Sequence, residues 1–245
     1  MADPRYLAKV NLETLRTNSY PGRGIIMGLD QSGKAVVQAS FVMGRSENSR
    51  NRVFGHEGGL LFTEAADPTK VKDPSLIIYN AMSEHGSRVF VVSNGKQTDA
   101  MIEGAKSGLG LVRILEPYQY EPDPPIFTPR ITAVSYVFGG KYIVEMALLR
   151  KSPFSHECDK IFYSFGDMSK GFGYCMTTYQ RDGNPPPPFQ GEPYLLPLEG
   201  NGSVILDTLW GVLNPDNRVS LAVKFINLKT GASEILIKNK YNKVG

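Results

Sequence analysis

Apolar residues recur along this chain in runs of five to nine, and most runs come in pairs around a short glycine-containing turn. GRGIIMGLD reads as a strand ending near Gly28. Asp30-Gln31-Ser32-Gly33 turns the chain, and Lys34–Met43 (KAVVQASFVM) returns beside it. Further strands are predicted at Gly58–Thr63, at Pro74–Ala81 and at Ser87–Ser93, the last two pairing across Ser83-Glu84-His85-Gly86. Ile131–Phe138 and Tyr142–Leu149 make a hairpin around Gly139-Gly140. Lys160–Phe165 and Tyr174–Tyr179 follow, and Val219–Leu228 with Ala232–Ile237 close the chain over Lys229-Thr230-Gly231. Helical spacing is confined to residues 1–20, Thr98 to about Leu115, and Ser203–Leu213 with the sole Trp210. About ten or eleven strands, mostly in hairpins, with two substantial helices in the body predict an α+β fold. Residues 1–20 are expected as an N-terminal extension and 21–245 as a single domain.

Composition narrows the class. Hydrophobic residues are 41% and charged residues 21%, which fits a globular chain rather than a disordered one. A net charge of +3, with 27 Lys and Arg scattered along the sequence, argues against a nucleic-acid partner but suits a small anion. Two cysteines and three dispersed histidines provide no disulfide framework and no metal-ligand spacing, so no metal or cofactor is expected. With no apolar run near the ~20 residues of a membrane span and no apolar leader, a cytoplasmic protein is expected.

Polar residues cluster where the predicted strands end. VVSNGKQTD breaks an apolar strand at Ser93-Asn94-Gly95, where Asn-Gly suggests a positive-φ turn, and reopens as a helix that Thr98 is placed to cap, with Asp99 in its first turn. Such a corner suits a phosphate, ribose or amide. GRSENSRNR puts Arg45, Arg50 and Arg52 within eight positions, with Asn51 between the last two and Glu47 as the nearest acid, which favours an anion. Tyr79-Asn80 closes an apolar run, so a phenol and an amide are expected at a strand end. EPYQYEPDPPIFTPR is stiffened by its prolines and carries Glu121, Asp123, Thr128 and Arg130; either carboxylate is a candidate acid/base. The four prolines Pro185–Pro188 read as a rigid polyproline-like loop.

Taken in order, GRGIIMG, GRSENSRNR, IIYNA, VVSNGKQTD, the YE of QYEPDPP and FTPRI resemble the archaeal-type IMP cyclohydrolases over roughly residues 21–135. The resemblance implies an αββα four-layer sandwich of two antiparallel sheets, N-terminal-nucleophile-hydrolase-like but without autoprocessing. Residue 2 is Ala rather than a nucleophile, in keeping with that. It implies closure of 5-formamidoimidazole-4-carboxamide ribonucleotide to inosine monophosphate (IMP) with loss of water, the last step of purine synthesis, without cofactor and without formylation of the substrate. A nucleotide is then the small-molecule partner, and a homo-oligomer is suggested by resemblance alone. Tyr79, Glu121 and Arg52 are expected as catalytic groups. Arg45, Asn51, Asn80, Asn94, Thr98, Asp99, Asp123 and Arg130 are expected to bind substrate. Two rivals share the pattern: an amide-bond hydrolase of the same fold, and a non-catalytic purine-nucleotide-binding protein.

Overall fold

Strands in the first half of the chain are apolar at odd and even positions alike, which requires both faces of each strand to be covered. The computed structural model, which describes residues 3–71, 74 and 77–243, shows how. The chain runs through α1 (Pro4–Thr17), β1 (Arg23–Leu29), β2 (Ala35–Met43), α2 (Glu47–Arg50), β3 (Val53–Glu57), β4 (Leu60–Glu64), β5 (Asn80–His85) and β6 (Val89–Ser93). It continues through α3 (Gln97–Lys106), α4 (Leu111–Leu115), β7 (Arg130–Phe138), β8 (Lys141–Lys151) and β9 (Cys158–Phe165). The last elements are β10 (Phe172–Thr177), β11 (Tyr194–Pro197), α5 (Gly202–Val212), β12 (Arg218–Asn227) and β13 (Ser233–Asn239).

The strands form two antiparallel sheets. One has the order β11-β10-β1-β2-β12-β13, and the other runs from β3 to β9 in sequence order. In β1 the alternation is plain: Ile25, Met27 and Leu29 enter the core between the sheets, while Ile26 joins a second core under α1 and α5. β2 sends Val36 and Val42 inward and Val37, Ala39 and Phe41 outward. On the other sheet Phe90, Val92, Ile131 and Ala133 face inward, and Val91 and Val134 meet Met101, Leu111 and Leu115 of α3 and α4. The molecule is therefore α+β, with helices on the outer face of each sheet. No helix among the described residues is long and apolar enough to cross a membrane.

The hairpin around Gly139-Gly140 forms with Phe138 opposite Lys141, and both glycines take positive φ. α5 begins where Asn201 accepts from the Val204 N–H and buries Ile205, Leu209 and Trp210 on the sheet. Other elements differ from expectation. The strand predicted at Pro74–Ala81 starts only at Asn80 and continues through Glu84, pairing Met82 with Val92; residues 75 and 76 lie outside the described residues. Glu84, read as turn material, belongs to the strand because its carboxylate meets Lys224 from the opposite sheet. The helix from Thr98 stops at Lys106, Gly108 takes φ +73, and α4 folds back as a separate turn of helix. β3 and β11 were not expected at all; both are short and lie on sheet edges.

Candidate active site

Antiparallel order brings the start of β1, the end of β2 and the end of β10 to one end of the sandwich. The starts of β5 and β7 and the end of β6 meet them there. A cavity of about 240 Å³ opens at this end, lined by Arg23, Arg45, Arg52, Glu121, Asp123, Thr128, Tyr20 and Tyr179, with apolar Met43, Ile77 and Ile126 between them. Strands of the first sheet and the loops leading into the second contribute to it.

At its floor lies Glu121, 2% exposed. Its Oε2 accepts from the Arg23 guanidinium at 3.0 Å, and its Oε1 lies 3.8 Å from that of Arg130. Burial raises the Glu121 pKa above the usual carboxylate range, and Arg23 and Arg130 pull it part of the way back. Burial also works against the Arg23 charge, yet its carboxylate partner Glu121 counters it and the guanidinium stays more firmly protonated than usual. The Tyr79 phenol, buried beside Arg23 and Arg52, has its pKa raised by desolvation and so stays a neutral O–H donor. Arg52, 4% exposed, is held by the Ser49 carbonyl at 2.9 Å; burial and the nearby Arg23 both press its pKa down. Arg23, Arg52 and Arg130 thus outnumber Glu121 and the neighbouring Asp123, and the surplus positive charge is poised for an anion.

The proline-rich loop is tied by its own polar groups. Asp123 accepts from the Thr128 N–H at 2.7 Å and from the Thr128 hydroxyl at 2.5 Å. The Thr128 carbonyl in turn accepts from the Glu121 N–H at 2.8 Å. This closed turn carries Phe127 at φ 50 and fixes the backbone from which Glu121 projects. At the cavity mouth Arg45 pairs with Asp182, donates to the Gly183 carbonyl at 2.8 Å and lies 4.3 Å from the centre of the Tyr20 ring. Tyr20 stacks in turn on Tyr179 at 5.7 Å.

Of the residues expected to act, Arg45, Arg52, Glu121 and Asp123 line this cavity, and Tyr79 and Arg130 stand against its floor. The others are placed differently. Asn94 is buried with both amide atoms engaged: it donates to the Pro129 carbonyl at 2.9 Å and accepts from the Ile131 N–H at 2.9 Å and the Gln97 amide at 3.0 Å. Asn51 clasps the backbone of Asp67 with both amide atoms, at 2.8 and 2.7 Å. Thr98 does not cap the helix; Lys96 holds that position, and the Thr98 hydroxyl is buried 2.6 Å from that of Ser93. Asn80 and exposed Asp99 bond each other at 2.8 Å, outside the cavity lining. Nor does the Asn-Gly corner use a positive φ. A Cβ on Gly95 would stand 2.8 Å from Gln97 Oε1 and 2.9 Å from the Arg130 guanidinium, so glycine is there for close approach.

Sequence reasoning passed over Arg23, Tyr20, Gln97 and Tyr179. Arg23 carried a signal, since a charged residue between two glycines heads an otherwise apolar strand. Gln97 had none; it links Arg130, at 3.0 Å, to Asn94 from inside a helix. Among the described residues no group of three or more His, Cys, Asp or Glu side chains gathers to hold a metal ion.

A family model described as IMP cyclohydrolase-like protein matches residues 20–231. No curated protein matches the chain.

Proposed function

This chain belongs to the IMP cyclohydrolase-like family, and from that premise we propose that it closes the formamido-carboxamide ribonucleotide to IMP at the cavity just described. The observation that carries the reading is the carboxylate of Glu121, buried at the floor of an arginine-lined cavity beside a neutral phenol. Ring closure needs the carboxamide nitrogen to attack the formyl carbon, forming the C–N bond, before the former formyl oxygen leaves as water. An amide nitrogen is a weak nucleophile, so orientation of the two substituents supplies much of the acceleration. Glu121 takes the proton that the attacking nitrogen loses and passes it to the formyl oxygen, giving a carbinolamine hydroxyl. That hydroxyl then leaves as water with the proton shed by the former formamide nitrogen, and the C=N bond of the ring forms. Tyr79 donates to the oxyanion that develops on the formyl oxygen. Arg45 and Arg52 hold the phosphate or the carboxamide oxygen, and Arg23 and Arg130 keep Glu121 in place. Asn51, Asn94 and Thr98 serve as builders of the corner rather than as ligands, because their polar atoms are spent on protein partners. The N-terminal-nucleophile-hydrolase-like fold is proposed along with the reaction.

The test is to incubate the purified protein with the formamido-carboxamide ribonucleotide and follow IMP by chromatography. We expect IMP to form, and Tyr79→Phe to lower kcat by about a hundredfold with a smaller change in KM. Absence of product with the wild-type protein overturns the reading; unchanged turnover in Tyr79→Phe removes Tyr79 from the chemistry.

A further inference from the structure

We infer that Tyr179 is a specificity-determining hydrogen-bond acceptor for an N–H of the ligand, held in that state by a one-way chain running from its hydroxyl through Thr128 to Asp123. The Thr128 hydroxyl has one proton and two neighbours: Asp123 Oδ2 at 2.5 Å and the Tyr179 oxygen at 2.8 Å. A carboxylate only accepts, and the Thr128 N–H already donates to the other Asp123 oxygen at 2.7 Å. The Thr128 proton therefore goes to Asp123, and Tyr179 must donate its own proton to Thr128. What remains on the phenol oxygen is lone-pair density, in a residue that lines the cavity. Burial pushes the Tyr179 pKa up to about 12, so the hydroxyl does not ionise at neutral pH. The ring has no freedom to turn away: it stacks on Tyr20 at 5.7 Å, and a Cβ on Gly22 would stand 2.5 Å from it.

This acceptor matters because the rest of the wall mostly donates. Arg23, Arg45 and Arg52 are donors only, Asp123 is engaged by Thr128, and Glu121, as the base, accepts one of the two carboxamide N–H groups. Such a wall by itself leaves the second N–H without an acceptor and separates a carboxamide from a carboxylate only weakly. An acceptor with no proton to offer sharpens the choice, since the second carboxamide N–H satisfies it and a carboxylate oxygen is repelled. The inference rests on the cyclohydrolase reading and names what selects the group that attacks. It also makes Asp123 a positioning residue, distinct from Glu121.

The test compares binding of two unreactive nucleotides by calorimetry: the aminoimidazole-carboxamide ribonucleotide and its 4-carboxylate counterpart. We expect the wild-type protein to favour the carboxamide, and Tyr179→Phe to cut that preference about tenfold, the scale of one lost hydrogen bond. Thr128→Val, which releases the Tyr179 proton, should cut it similarly. Thr128→Ser, which keeps the hydroxyl, should preserve it, and the Tyr179→Phe/Thr128→Val double variant should be no worse than either single one. If Tyr179→Phe does not fold, the contrast between Val and Ser at 128 decides alone. A wild-type preference that survives Tyr179→Phe or Thr128→Val overturns the inference while IMP formation leaves the reaction standing. A wild-type protein that makes no IMP and binds neither nucleotide overturns both.

Discussion

Two cation–carboxylate pairs tie strands of the first sheet to the elements opposite, and they differ in what surrounds them. Lys224 of β12, fully buried, meets Glu84 of β5; its ammonium also donates to the Gly59 carbonyl at 2.8 Å and lies 5.3 Å from the centre of the Phe90 ring. Ser233 donates to the same carboxylate at 2.8 Å, so one cation and one anion answer each other. Arg23 of β1 meets Glu121 at 3.0 Å, but Arg52 and Arg130 crowd the same carboxylate around a cavity. A balanced pair is a bolt between sheets. An unbalanced one awaits a ligand.

The contrast can be broken at either carboxylate. Glu121→Gln should lower kcat for IMP formation by about a thousandfold, the general-base contribution, as seen in steady-state kinetics. Turnover within tenfold of wild type would make this pair a bolt as well. Glu84→Gln should leave kcat near wild type but leave a buried ammonium without a counter-charge, costing about 3 kcal/mol in urea unfolding. An unchanged urea midpoint would show that the Lys224 pair contributes nothing to stability.

A finer effect lies in the pH profile. Burial raises the Glu121 pKa, and the carboxylate is the active form, so the acid limb of kcat/KM should lie above the usual carboxylate value. Arg130→Gln removes a cation that favours the charged form, so the limb should move to higher pH. A limb that stays put or moves down would detach Arg130 from Glu121. The smallest effect is expected at Gly95, whose added Cβ would press on Gln97 and the Arg130 guanidinium. Gly95→Ala should cost about 1 kcal/mol in thermal unfolding and a few-fold in kcat.

Much of the fold follows from local rules that a sequence displays. The Gly139-Gly140 hairpin, the closing hairpin and α5 appear where turn residues and apolar spacing put them. The shift of β5 does not, because Glu84 enters a strand only when Lys224, 140 positions away, is there to meet it. The site divides along the same line. Arg45, Arg52, Glu121 and Asp123 were picked out by residue type and clustering, and they line the cavity. Asn94, Thr98 and Asn51 have equally suitable chemistry but spend it on backbone and buried hydroxyl partners. Residue type declares what a side chain can bond. It cannot declare what has already bonded it.

By itself, then, the amino-acid order determined an α+β chain of hairpins, polar strand ends rich in arginine, and membership of a recognisable family through residues 20–231. Those properties depend on neighbours a few positions apart or on motifs read in order. Only the tertiary structure decided that Arg23 and Glu121, 98 positions apart, share a buried contact, and that the Tyr179 and Thr128 hydroxyls meet 2.8 Å apart. The reason is physical: desolvation and hydrogen-bond direction are set by every group within a few ångströms, and most of those groups arrive from distant parts of the chain.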